Sequence, residues 1–386
     1  MTETPHRARI LAALAHKATD RVPIDFGGTY TTTIYDSAYD RLKKHLGLDH
    51  PTNVYSKTRR LAIPHASVLD RFDVDTQFLG LGPYEGDQRE IDSDTYLDEW
   101  GTTWKKAQDG HYLYVDGPFY NRKKPPPDLL AERNWPDPDN PGYYRGLGER
   151  ALKSRADGRA VILNLPIGVI HQGQFLRGFA DWLKDLYKNR AFSERLMDMI
   201  ADRWIAVATR ALGLCRNNVD IVFFGDDLAS QLGPLFDPAI YRDLIKPRHR
   251  RMIAAAKASA DVKVLFHSCG SVTRLIDDLI DIGVDALNPV QVTAADMAPM
   301  ELKRKFGKRI AFWGGINTQE TLPFGTPDQV RAEVRRIIDI LGEDGGFVLN
   351  SVHNIQDDVP IENIVAMFDQ AREYGQAAGH EGCPRP

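Results

Sequence analysis

The segment His267-Ser268-Cys269-Gly270 carries more chemical content than any other stretch of the chain. It closes an apolar run, Val262-Lys263-Val264-Leu265-Phe266, that reads as a β-strand. Residues i and i+2 of a strand project to one face, so the His267 imidazole and the Cys269 thiol point together. That pair is a credible half of a zinc site. His353 offers a third ligand, in Asn350-Ser351-Val352-His353-Asn354, where another strand ends. A catalytic zinc takes about three protein ligands and keeps one position open. Asp226 or Asp227 offers a fourth ligand or an orienting carboxylate behind the ligands. Neighbours on a strand face opposite ways, so at most one of this pair reaches a pocket. The other suits a helix cap or an ion pair. Spacing alone leaves an alternative open: a buried thiol beside a hydrogen-bonded core histidine.

The rest of the composition narrows the class. The chain has 386 residues, 42% of them hydrophobic, and a formal net charge of −4. These values exclude disordered and fibrous chains, and near-neutral charge argues against nucleic acid as the main partner. Only three cysteines occur, Cys215, Cys269 and Cys383, too few and too scattered for a disulfide framework. Cys215 lies on an apolar helical stretch and reads as core, and Cys383 reads as tail. The apolar opening Ile10–Ala15 is stopped by His16 and Lys17, too short for a signal segment, and no run approaches the roughly 18 apolar residues of a spanning helix. The expectation is a cytoplasmic protein with no membrane partner. Arg248-His249-Arg250-Arg251 reads as an exposed helix face. No nucleophile-elbow or phosphate-loop motif occurs.

The elements that must position these residues alternate. Eight short apolar runs read as strands: 22–26, 76–79, 160–164, 221–224, 262–267, 286–288, 310–313 and 347–350. Helical periodicity follows most of them, over 236–259, 271–282 and 327–342 among others. Eight such repeats predict a single (β/α)8 TIM barrel, with a doubly wound sheet as the alternative. Residues 83–145 interrupt the alternation and read as a β-hairpin and loop insertion after the second strand, with Trp100, Trp104, Tyr112 and Tyr114 along it. Residues 1–375 then form one domain, and 376–386 a frayed tail. Barrel enzymes place their sites at the carboxyl ends of the strands. By that rule Asp226, Asp227 and Asn350 are catalytic candidates, and Asp25, Asn164, Asn288 and Asn317 are pocket candidates.

Six segments also carry a likeness. They are Arg7 to Leu14 with Asp20-Arg21-Val22-Pro23; Asp220 to Asp227 with Phe236-Asp237-Pro238; and His267-Ser268-Cys269-Gly270. Gly314-Gly315-Ile316-Asn317, Pro323 to Pro327 and Phe347 to Ile355 complete the set. In this order, over nearly the whole chain, they resemble the uroporphyrinogen decarboxylase superfamily. The resemblance implies the (β/α)8 barrel. It also implies one of two chemistries. The decarboxylases work without metal, and carry Met-Arg-Gln-Ala-Gly-Arg-Tyr after the first strand and an aspartate after the second. Here those places read Asp25-Phe26-Gly27-Gly28-Thr29-Tyr30 and Phe78-Leu79-Gly80-Leu81-Gly82, without the acid. His353 is the one decarboxylase-like residue kept. The other branch resembles zinc-dependent corrinoid methyltransferases, with His-x-Cys after the fifth strand and Cys after the eighth. His267 and Cys269 match that pattern, and His353 stands in place of the last cysteine. This branch implies Zn²⁺ on His267, Cys269 and His353. It implies methyl transfer between a methylated small molecule or thiol and a corrinoid carried on a partner protein. Metal-free decarboxylation is the second reading, and a non-catalytic subunit that binds a corrinoid protein is the third. A second copy of the chain is a further candidate partner.

Overall fold

The computed structural model describes residues 5–377, apart from 56–58, 87 and 109. Seven strands form one parallel sheet in sequence order: Thr76–Gly80, Ala160–Asn164, Ile221–Gly225, Lys263–His267, Ala286–Asn288, Ala311–Trp313 and Phe347–Val348. The first predicted strand is reduced to a single parallel bridge, Ile24 to Leu349. It still closes the barrel. Asp25 N donates to Leu349 O at 2.9 Å, and Asp75 N donates to Ile24 O at 2.8 Å. The molecule is therefore a TIM barrel, with the seam at Ile24.

Strand periodicity explains the two-layered core. Every second residue, including Ile162, Phe223, Leu265, Ala286, Ala311, Trp313 and Val348, packs in one buried cluster inside the barrel. The intervening Leu163, Val222, Phe224, Phe266, Leu287 and Phe312 pack outward in a second cluster with the helices. The inward register runs on to Asn164, His267 and Asn288 at the carboxyl ends.

The helices follow their patterns with local breaks. Thr326 and Gln329 form a capping box at Pro327–Leu341, which buries Val330, Val334, Ile337, Ile338 and Leu341. The predicted helix 236–259 is divided, with one π-helical turn, Tyr241–Ile245, ahead of Lys246–Ser259. Cys215 ends the 26-residue helix Arg190–Cys215 and is fully buried. The final helix, Ile361–Ala377, runs into the segment expected to fray, and Cys383 lies outside the described residues. No described helix is long and apolar enough to cross a membrane.

The insertion holds more than a hairpin. Arg89–Glu90, Thr95–Leu97, Thr103–Lys106 and Tyr112–Asp116 form a four-stranded antiparallel sheet in consecutive order. Trp104 and Tyr114 set their rings against Phe175 of the helix Val169–Arg177, at 4.9 and 4.8 Å between centroids. Aromatic pairing thus fixes the insertion over the mouth of the barrel.

Candidate metal centre and adjoining cavity

His267 ends its strand in register with Gly225, and a Cβ at Gly225 would lie 3.0 Å from the His267 Cβ. The missing side chain makes room for the imidazole. Beyond Cys269 the chain turns at Gly270 with φ +86°, where a Cβ would meet Ser230 O at 2.5 Å. Only glycine fits such a turn. Cys269 Sγ and His267 Nε2 are 3.4 Å apart. The His353 ring stands edge-on to His267, at 5.5 Å between centroids. One ligand atom from each of the three residues lies within 4.8 Å of the others.

The donor chemistry fits zinc. Bond lengths of about 2.0–2.3 Å in a tetrahedron put ligand atoms roughly 3.3–3.8 Å apart. Asn288 Oδ1 lies 2.6 Å from His267 Nδ1, which leaves Nε2 as the lone-pair nitrogen on the cluster side. Burial pushes the His267 imidazole down, against the pull of Asp227. Burial, reinforced by His267, pushes His353 to about 4. Both rings are thus neutral near pH 7, as metal ligands must be. Burial and then Asp227 push the Cys269 thiol up. A bound cation reverses that balance and favours the thiolate.

The two aspartates divide as strand parity requires. Asp226 turns outward, fully buried, and accepts from Ile170 N at 3.0 Å and His171 N at 2.8 Å. It caps the helix Val169–Arg177, whose own N-cap residue is Gly168. His249 Nε2 is 2.8 Å from the same carboxylate. Burial opposes its charge, but His171 and His249 hold Asp226 at about 2. Asp227 turns inward. It accepts from Cys269 N at 2.8 Å and lies 3.8 Å from His267 Nε2. Burial again opposes the charge, and His171 and His267 hold this carboxyl well below the usual range. Asp227 therefore fixes the Cys269 turn at the edge of the cluster.

The remaining sequence candidates separate. Asn288 touches the cluster. Asn164 accepts from Tyr30 N at 3.1 Å and donates to Gly28 O at 3.0 Å, which binds the first loop to the barrel mouth. Asp25 and Asn350 lie in the seam. Asp25 accepts from Thr76 Oγ1 at 2.6 Å, Trp313 Nε1 at 2.8 Å, Gly28 N at 2.9 Å and Asn350 Nδ2 at 3.3 Å. Asn317 lies apart. Its side chain accepts from Gln319 N and Glu320 N in a turn of its own.

Two site residues escaped the sequence reading. His171 lies between the aspartates, 3.6 Å from Asp226 Oδ1 and 3.4 Å from Asp227 Oδ2. Burial opposes its charge, but the two carboxylates raise it to about 10. His249, expected on an exposed face, is fully buried. Only its arginine neighbours face outward, paired with acids such as Asp198 and Asp281. The usable signal for His171 was a polar His171-Gln172 pair at the start of an apolar helix that follows a strand end.

Beside the cluster, and not around it, lies a cavity of about 770 Å³. Tyr30, Tyr55, Asn164 and Gln172 line its barrel side, and Trp100 and Trp104 its insertion side. Tyr30 connects the two features. Its ring meets Phe223 at 4.8 Å, and Phe223 meets His267 at 6.2 Å. Arg59 stands 5.2 Å over the Tyr30 ring.

A profile of the family described as Uroporphyrinogen decarboxylase (URO-D) matches residues 167–374, more than half of the chain. The chain belongs to the URO-D family. His267, Cys269 and His353 all fall within the matched segment. Both chemistries of the family occur among similar proteins. Methylcobamide:CoM methyltransferase MtaA of Methanosarcina barkeri is 27% identical over 199 residues, 52% of this chain and 53% of that protein. The methylated-thiol–coenzyme M methyltransferase of Methanosarcina mazei is 26% identical over 269 residues, 67% and 65%. The uroporphyrinogen decarboxylase of Methylococcus capsulatus is 24% identical over 251 residues, 63% and 67%. The aligned part thus spans about half the length of MtaA. A solved methyltransferase from Methanosarcina mazei superposes with a TM-score of 0.66 at 20% identity, covering 96% of this chain and 99% of that one. That likeness concerns the fold, and it spans the whole barrel.

Proposed function

We propose that this URO-D family member is a zinc-dependent methyltransferase that passes methyl groups between a small methylated molecule or thiol and a corrinoid on a partner protein. One observation carries the reading: His267, Cys269 and His353 converge within 4.8 Å, with Asn288 aligning the first of them. The similarity to proteins named as methylcobamide and methylated-thiol methyltransferases supports it.

The residues divide the work as follows. His267, Cys269 and His353 would hold the ion. Bound zinc would supply Lewis acidity, which lowers the pKa of a thiol or makes an ether oxygen a better leaving group. Asn288 keeps the His267 lone pair on the cluster side, and Asp227 holds the Cys269 turn through its backbone N–H. The methyl carbon leaves its heteroatom, which keeps the bonding electrons and takes a proton. A reduced corrinoid, bound as co-substrate on the partner protein, would supply the electron pair of the new bond. The reverse direction delivers methyl to a thiolate.

The test begins with metal. Protein purified without added zinc should carry close to one equivalent, and Cys269→Ala should carry almost none. Wild-type metal content in Cys269→Ala would sink the proposal. Loaded protein should then demethylate free methylcobalamin in the presence of a thiol, followed by cobalt absorbance. Metal-free decarboxylation is the second reading, supported by similarity to named decarboxylases. Formation of coproporphyrinogen from uroporphyrinogen by metal-depleted protein would favour it.

A further inference from the structure

The insertion follows the strand Thr76–Gly80 and stands on that side of the mouth. The strand Ala286–Asn288 lies on the opposite side of the barrel. There the rim is built from three short segments, 226–235, 289–298 and 314–325, which follow the strands Ile221–Gly225, Ala286–Asn288 and Ala311–Trp313. Hydrogen bonds join the three in one course. Ala295 N donates to Gln231 O at 2.9 Å, and Thr293 Oγ1 donates to Gln319 Oε1. The first segment is also tied to the metal cluster on both sides of Cys269. Leu228 N donates to Ser268 Oγ at 2.9 Å, and Ser271 N donates to Ser230 O at 2.8 Å.

Two features set this rim apart. The first is apolar. Among the described residues, the three most exposed large hydrophobic residues all lie here: Leu232 at 87%, Phe324 at 79%, and Met300, just past the second segment, at 65%. One exposed leucine is ordinary, but the gathering of all three at one edge marks a contact surface. Leu232 is held out on a stiff hairpin, in which Ser230 N donates to Gly233 O at 2.8 Å and Leu235 N to Leu228 O at 2.9 Å. The second feature is charge. The three segments contain Asp226, Asp227, Asp296 and Glu320, and no lysine or arginine. Asp296 and Glu320 face solvent. Across the whole chain 49 basic residues nearly offset 53 acidic ones, so a rim of one sign is a local property. Apolar tips among carboxylates suit a flat apolar body edged with neutral hydrogen-bond donors. Carboxylates at its edge would be repelled.

We propose that this rim is where the corrin ring of the partner protein docks. A corrin is an apolar macrocycle edged with primary amides, which matches both features. Leu232, tied to the Cys269 turn, meets the face of the ring, and Met300 and Phe324 meet its edge. Asp296 and Glu320 accept from the amide N–H groups. The methyl face then comes down on His267, Cys269 and His353 from the open side of the mouth, without entering the cavity under the insertion. This rests on the methyl-transfer reading and assigns the surface that receives its co-substrate.

The probe is free methylcobalamin, which exposes the same ring. Its affinity for the zinc-loaded full chain is read by equilibrium dialysis, and its half-saturation from demethylation in the presence of a thiol. Leu232→Ser should weaken both about tenfold, the worth of one leucine taken from water. Met300→Ser and Phe324→Ser should each weaken them about threefold, whereas Leu232→Met should stay within about twofold of wild type. Zinc content, melting temperature and half-saturation for the thiol should not change, which separates lost docking from a damaged cluster. Methylcobinamide, which keeps the ring amides, should bind as methylcobalamin does. Methylcobyrinic acid, with carboxylates in place of those amides, should bind at least about tenfold more weakly. Wild-type affinity in the triple variant Leu232→Ser, Met300→Ser, Phe324→Ser overturns the proposal, and so does equal binding of methylcobyrinic acid. In either case methylcobalamin is still demethylated, so the methyl-transfer reading stands. A zinc-loaded wild type that neither binds nor demethylates methylcobalamin defeats that reading, and the docking surface with it.

Discussion

At the scale of residues, the cluster depends on one neutral amide. Asn288 Oδ1 at 2.6 Å from His267 Nδ1 decides which ring nitrogen carries the proton. Asn288→Leu keeps a similar volume and removes that acceptor. Outer partners of this kind are worth about 10–100-fold in metal affinity. Competition against a chromophoric chelator should show zinc held that much more weakly in Asn288→Leu, with Cys269→Ala weaker still. Sequence spacing was enough to pair His267 with Cys269, because the alternation of the strand Lys263–His267 carries on into the turn at Cys269. It was not enough to separate a ligand from a buried thiol. His353, 84 positions beyond Cys269 in sequence, joins the pair only because the barrel closes, and the set of three is what supports the metal proposal.

Asp226 and the helix Val169–Arg177 belong to the scale of elements. The helix starts at glycine, so a carboxylate from the neighbouring strand satisfies its first N–H groups. The same carboxylate, with Asp227, holds His171 at about 10, whereas its unperturbed value is 6.5. A histidine raised on folding favours the native state fully below 6.5, and loses that contribution as pH rises through about 10. Metal-free wild type should therefore lose melting temperature between pH 7 and 10 more steeply than His171→Gln. Parallel curves would refute the ionic account. The parity of Asp226 and Asp227 was legible in the sequence. The identity of the partners was not, because His171 and His249 come from two different helices. The basic run around His249 misleads for the same reason: three arginines suggest a solvated face, while a helix has a buried side at every fourth position.

The whole molecule is held by its seam. Asp25 binds the first segment to Thr76, Trp313 and Asn350, so four separate parts of the barrel meet at one carboxylate. Burial pushes this carboxyl up, against hydrogen bonds from Thr76, Trp313, Thr32 and Gly28. Asp25→Ala would leave those buried donors unpaired, at a cost of about 3–5 kcal/mol. Urea denaturation should register that loss. Inside the barrel, Phe223→Ala should cost about 3–5 kcal/mol, and it also frees the Tyr30 and His267 rings from their shared neighbour. A loss under 1 kcal/mol for Phe223→Ala would mean that the interior is not packed as described.

By itself, the sequence determined the local quantities. Strand and helix periods come from nearest neighbours along the chain, and seven of eight predicted strands form accordingly. The first does not. Proline at 23 and the tight loop after Phe26 leave a single bridge where a strand was expected. The four-stranded insertion was also only half visible, because its first two strands are two and three residues long and too short for periodicity to register. Tertiary structure alone decided which polar residues meet. It set Asn288 behind His267, separated Asn317 from the site, and buried His249. It also enclosed Tyr30 Oη and Gln172 beside an aromatic cavity. The reason is physical: burial, hydrogen-bond pairing and ligand geometry depend on distances between segments, and a sequence fixes those only through the packing of the entire barrel.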